Sequence, residues 1–175
     1  MADYGRMWLK KFPEVCELPG GCVLAIGNFD GVHEGHKALL KQAFLEGEKR
    51  DLPVVVLTFE PHPRVVLRPQ YEFKLLMNLE EKAEALVDSG LVEGLAVLGF
   101  DGDVAAWSPQ QFVDFIEEWL KPRVVCVGEN FRFGAKAAGD VEFLAENGGF
   151  EMVAVPLVRD EGGVVSSTRL RAKTG

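Results

Sequence analysis

GCVLAIGNFDGVHEGHKALL, residues 21–40, decides how the rest of the chain is read. It opens with an uninterrupted apolar run, Cys22 to Ile26, of the kind that forms a strand buried on both faces of a sheet. A tight polar turn follows, Gly27-Asn28-Phe29-Asp30-Gly31. From about Gly35 to Lys49 the apolar residues Ala38, Leu39, Ala43 and Leu45 recur at roughly helical spacing. The order is strand, turn, helix.

Two of the three histidines, His33 and His36, lie at that junction. With a helix starting near Glu34, their spacing brings both side chains out on the same side of its first turn. A helix N-terminus has unpaired N–H groups and the positive end of a dipole, which together favour a phosphate. Gly31 and Gly35 let the backbone approach such a ligand closely. Histidines that only cap and pack are the plainer reading. A pair flanking a glycine between strand and helix favours anion binding.

Working outward, 175 residues and 47% apolar composition fit one domain with a sizeable core. A formal charge of −8 argues against a nucleic-acid surface, which needs clustered Lys and Arg. Arg132 to Lys136 and Arg169 to Lys173 are local basic islands able to hold a small polyphosphate. Cys16, Cys22 and Cys126 are too few and scattered for a zinc site or a disulfide framework, so reduced thiols are expected. Neither a secretory leader nor a membrane-length apolar run is seen, which leads to the expectation of a cytoplasmic protein without a membrane partner.

Residues 1–20 show no clean period and are expected to form a short helix and an N-terminal arm. Val54 to Phe59 reads as a second buried strand ended by Glu60-Pro61-His62-Pro63-Arg64, because proline cannot donate to a ladder. His62 then sits on the same sheet rim as His33 and His36. Bracing a Pro-rich turn and binding a ligand are equally open roles for it. Residues 65–77 read as a long surface connection.

Asn78 with Glu81, and Ser108 with Gln111, resemble capping boxes that open two helices, and Gly90 stops the first. Leu95 to Leu98, Arg123 to Val127 and Met152 to Val155 read as strands; Asp140 opens a short helix between the last two. The stripe Phe112, Phe115, Ile116, Trp119 and Leu120 reads as core. Asp101 and Asp103 read as solvated turn carboxylates. Gly128-Glu129-Asn130-Phe131-Arg132-Phe133-Gly134 has the parts to hold a flat ring beside a phosphate. Val165 to Arg171 places hydroxyls and cations where a last helix would begin. The expected fold is α/β, a Rossmann-like open parallel sheet of about five strands with helices on both faces. Ligands in such sheets bind at the carboxyl edge of the strands.

No Walker sequence, no Gly-x-Gly-x-x-Gly and no Gly-x-Ser-x-Gly elbow is present. A phosphate site without an obvious nucleophile suits direct nucleotidyl transfer, where positioning and charge neutralisation dominate. Four blocks then match a family in order. They are Gly27 to His36, Thr58-Phe59-Glu60-Pro61-His62-Pro63, Val127 to Gly134, and Val165-Ser166-Ser167-Thr168-Arg169-Leu170-Arg171. With these blocks, spanning about residues 21–171, the sequence resembles the adenylyltransferase module of bacterial-type bifunctional riboflavin kinase/FMN adenylyltransferases.

The resemblance implies that FMN and ATP, with Mg²⁺, give FAD and pyrophosphate by in-line attack. It implies catalytic roles for His33, His36 and Arg169, and ATP contacts from Gly27, Asn28, Phe29, Asp30, Gly35, Ser166, Ser167 and Thr168. It implies flavin contacts from His62, Pro63, Asn130, Phe131 and Arg132, and a metal carried mainly on ATP oxygens rather than on protein ligands. In the bifunctional enzymes a kinase barrel follows the last block, whereas this sequence stops at Gly175. Residues 1–175 are therefore expected to form one domain without riboflavin kinase activity, with a separate kinase supplying FMN. Two alternatives stay open: a nucleotidyltransferase for another phosphorylated acceptor or for CTP, and a non-catalytic nucleotide- or flavin-binding module. A zinc site from His33, His36 and His62 is weaker still.

Overall fold

Strands without a polar face must be covered on both sides, which is why apolar runs alternating with helices build a layered parallel sheet. The computed structural model describes residues 7–14, 18, 20–32, 34–156, 158–160 and 163–164. Its strands are β1 (Trp8–Lys11), β2 (Cys22–Ile26), β3 (Val54–Glu60), β4 (Gly94–Gly99), β5 (Pro122–Gly128) and β6 (Glu151–Val155). All are parallel, in the spatial order β1-β4-β3-β2-β5-β6. From β2 the chain steps through β3 to β4, then returns to the other side of β2 for β5 and β6. The order reverses between β2 and β5, so a crevice opens beyond their carboxyl ends. A separate two-stranded ladder pairs β7 (Arg159–Asp160) with β8 (Gly163–Val164).

Helices α1 (Glu34–Arg50) and α3 (Leu79–Ser89) cover one face. Helices α5 (Pro109–Trp119) and α6 (Val141–Asn147) cover the other. Successive strand residues feed opposite cores, as a pleat requires. Val23, Ala25, Val54, Val56, Val124 and Cys126 join one with Leu39, Leu40 and Ala43 of α1. Leu24, Ile26, Val55, Leu57, Val125 and Val127 join the other with Phe112 and Ile116 of α5. Cys22 and Cys126 are buried on opposite faces and unbridged. Burial pushes the Cys126 thiol up to about 12, so it stays protonated and packs as a small apolar group.

The expected helix ends are present. Asn78 and Ser108 close reciprocal capping boxes with Glu81 and Gln111, Gly90 ends α3 at φ 70°, and Asp140 caps α6 by accepting from the Phe143 amide. Other expectations are corrected. Residues 8–11 form a strand, not a helix, and this edge strand makes the sheet six-stranded. The 65–77 connection begins inside a one-turn helix, α2 (Pro63–Leu67), and Asp101 caps another, α4 (Gly102–Ala105). Leu45, placed on the apolar face of α1 by its spacing, is 46% exposed.

The edge strand depends on a glycine. Trp8 pairs with Gly94, and a Cβ added there would lie 2.1 Å from Trp8 Cε2, so the indole occupies the space a side chain would need. Gly94→Ala is expected to displace β1 and lower stability by about 1–3 kcal/mol, as overpacking does elsewhere. Gly99→Ala, on the same strand with nothing within 4 Å, is the near-neutral control. Urea unfolding of both variants checks this; equal midpoints would contradict it.

Candidate active site

The turn after β2 is held from below. Gly27 N–H donates to the Leu57 carbonyl at 3.2 Å, and the Thr58 hydroxyl donates to the Asn28 carbonyl at 3.0 Å, so β3 fixes where the turn leaves the sheet. Phe29 takes φ 51° and buries its ring completely, with the ring centroid 4.9 Å from that of His36. A phenylalanine accepts that left-handed backbone because its ring fills the core beneath the turn. Gly31, at φ 92°, then turns the chain toward α1.

Asp30 is 2% exposed, and one of its oxygens accepts from the Leu76 and Met77 amides at 2.9 Å each. A carboxylate receiving two amides is a charge-assisted clasp. It ties the first turn to the end of the 65–77 connection and hence to the start of α3. His62 lies at the other end of that connection. Its Nδ1 accepts from the Arg64 amide at 3.1 Å and caps α2, while its ring packs 4.6 Å from Phe73. The Arg64 guanidinium sits 5.2 Å from the same Phe73 ring.

Beyond the ends of β2, β3, β4 and β5 lies a cavity of about 680 Å³. Gly27 and Asn28 form its border with the first turn, and Phe59, Phe100, Trp107, Phe112, Phe131 and Phe133 wall it. The rings support one another: Phe131 stacks on Phe133 at 5.6 Å and 18°, and Phe133 lies 5.1 Å from Phe112. Mutual Phe133–Gly139 amide–carbonyl bonds of 3.2 and 2.8 Å close the loop after β5, and Ala135 N–H donates to Trp107 O at 2.8 Å. Gly139 must be small, since a Cβ there would lie 2.6 Å from the Phe133 ring. Arg68, Arg132 and Lys136 bring three cations to the cavity of an otherwise acidic protein. Arg132 also faces Asp140 at 3.8 Å. Aromatic walls with a cationic border suit a planar, anionic ligand.

The residues expected from sequence divide accordingly. Gly27, Asn28, Pro63, Asn130, Phe131 and Arg132 line the cavity together. His36 and Gly35 lie in the first turn of α1, with His36 against Phe29. Phe29 and Asp30 are buried and brace the turn, and His62 caps α2 without lining the cavity. His33, Ser166, Ser167, Thr168 and Arg169, like Cys16, lie outside the described residues. Missed were the walls Phe59, Phe100 and Trp107 and the cation Arg68, which come from three separate segments, whereas Lys136 belongs to the basic island Arg132 to Lys136 expected from the sequence. Also missed was Lys82, although its spacing with Leu79, Ala83, Leu86 and Val87 puts a lysine on the apolar stripe of α3.

Among the described residues no three His, Cys, Asp or Glu side chains are grouped to hold a metal. The buried carboxylate nearest the turn, Asp30, is committed to two amides.

The FAD synthetase family description matches residues 16–169. The chain belongs to that family. A bifunctional riboflavin kinase/FMN adenylyltransferase of Escherichia coli (strain K12) is 40% identical over 155 residues, covering 86% of this chain and 49% of that protein. A chain of Geobacillus thermodenitrificans (strain NG80-2), provisionally given the same double name, is 37% identical over 154 residues, covering 88% and 82% respectively. The chain thus spans about half the length of the first curated relatives it matches. A crystal structure described as a macrolide-efflux protein from Streptococcus pneumoniae superposes with a TM-score of 0.84 at 30% identity, over 95% of this chain and 55% of that one.

Asp30→Ala removes both loop bonds and is expected to lower stability by about 2–3 kcal/mol, the range for hydrogen bonds to a charged group. Hydrogen exchange at the Leu76 and Met77 amides should rise in this variant. Unchanged protection of both amides would contradict the clasp.

Proposed function

We propose that this chain is an FMN adenylyltransferase acting as one unit over residues 1–175, with ATP, FMN and Mg²⁺ as its small-molecule partners. The observation that carries the reading is the aromatic, cation-bordered cavity adjoining the turn that leads into His36. An isoalloxazine ring would lie between the walls made by Phe59, Phe112, Phe131 and Phe133. Arg132, beside Asn130 in the same loop, would hold the FMN phosphate. ATP would lie over Gly27 and Asn28, with its phosphates toward the N-terminus of α1.

One oxygen of the FMN phosphate attacks the α-phosphorus of ATP in line. The new O–P bond forms as the bond from that phosphorus to the bridging oxygen breaks, and pyrophosphate leaves with that electron pair. Mg²⁺ neutralises charge on the phosphate oxygens. His36 donates to those oxygens as charge shifts toward the leaving group, where a prepositioned donor contributes most. Roles for His33 on the same phosphates, and for Ser166, Ser167, Thr168 and Arg169 on pyrophosphate, rest on the family resemblance. His62 and Asp30 act by setting the walls, through α2 and the Leu76–Met77 clasp.

No helix among the described residues is long and apolar enough to cross a membrane. An ATP substrate and buried unbridged thiols fit work in the cytoplasm.

Incubating the chain with ATP and Mg²⁺ and either FMN or riboflavin, followed by chromatography, tests this. FAD and pyrophosphate from FMN, with no FMN from riboflavin, is the expected result. Retention of ATP and FMN without FAD would make it a binding module. A phosphorylated acceptor clearly outperforming FMN would overturn the substrate.

A further inference from the structure

Lys82, on α3, is the most buried cation among the described residues, at 4% exposure, and it neither caps a helix nor lines the cavity. Its Nζ donates to the Thr58 hydroxyl at 3.1 Å, and that hydroxyl donates in turn to the Asn28 carbonyl at 3.0 Å. A hydroxyl has one proton to give, so the donation from Lys82 fixes its direction toward Asn28. The groups whose charge acts on the ammonium are Glu60, at the end of β3, and Asp30, in the turn itself. Three separate segments meet on one cation: the turn after β2, the end of β3, and α3.

We propose that Lys82 is a positioning residue for nucleotide binding, acting through Thr58 to hold the Asn28 carbonyl and so the turn over which ATP lies. This rests on the functional reading above and adds a residue that reading does not use. An ammonium is an expensive group to bury, and a methionine of similar length would satisfy packing alone. Its presence is explained by what it orients. Burial outweighs Glu60 and Asp30 and lowers the lysine below its ordinary value.

The sign of that shift separates positioning from plain stability. Because the unfolded chain binds the proton more tightly, raising the pH through the folded value toward 10.5 relieves the burial cost and makes this group's contribution to stability more favourable. Nucleotide affinity should weaken over the same window, as the ammonium loses the charge that draws it to Asp30 and Glu60. A residue with only a structural role would not move the two in opposite directions.

The test is calorimetric titration of the full chain with MgATP and, separately, FMN, for the wild type, Lys82→Met, Lys82→Arg and Thr58→Val, across neutral to alkaline pH. Lys82→Met and Thr58→Val should each weaken ATP about tenfold and leave FMN within about twofold. The alkaline decline in ATP affinity should move to higher pH in Lys82→Arg and disappear in Lys82→Met. Thr58→Val keeps a strand-compatible shape, so it reads out the relay even if Lys82→Met fails to fold. ATP affinity unchanged in Thr58→Val, or an alkaline decline retained in a folded Lys82→Met, would overturn the proposal. A wild type that binds ATP without forming FAD would remove the proposed reaction and leave this inference standing, whereas one that binds no ATP would overturn both.

Discussion

A parallel sheet buried on both faces has almost nowhere to put polar chemistry. Every residue of β2 is buried, and so are the first six of β3. In these central strands water and ligands reach the backbone where the strands stop, and the strand order reverses between β2 and β5. That reversal decides the rest. It parts the two loops that would otherwise close over each other, and the space between them becomes the cavity bordered by Gly27 and Asn28 on one side and Asn130 to Gly134 on the other.

Keeping that space open requires rigid borders, and different chemistry builds each side. The β2 turn is fastened by polar groups turned inward: the Asn28 carbonyl to Thr58, and the Asp30 carboxylate to two amides of the following connection. The β5 loop is fastened by packed rings and by the Phe133–Gly139 bridge. A ligand with a polyphosphate at one end and a flat ring system at the other meets a fitting border on each side.

Much of the fold was legible because its signals are local. Uninterrupted apolar runs marked β2 to β5, and the two capping boxes marked the starts of α3 and α5. The edge strand β1 was not legible, since three half-covered residues and one exposed residue carry no period and its partner lies more than 80 positions away. Site residues followed the same division. Asn130, Phe131 and Arg132 stand together in sequence and in the cavity. Phe59 and Phe100 become neighbours only when the ends of β3 and β4 are brought level, and Trp107 joins them from the segment after α4. His62 and Asp30 were recognisable as special without their partners being readable. Capping α2 and clasping residues 76 and 77 are relations that only the folded chain displays.

The most direct test of the central claim is a crystal structure of the chain with FAD and Mg²⁺. The account places the isoalloxazine ring against Phe131 and Phe133 in the cavity between the β2 and β5 ends, with the diphosphate crossing toward Asn28 and the start of α1. A flavin bound on another face of the sheet, or a diphosphate remote from the β2 turn, would contradict it.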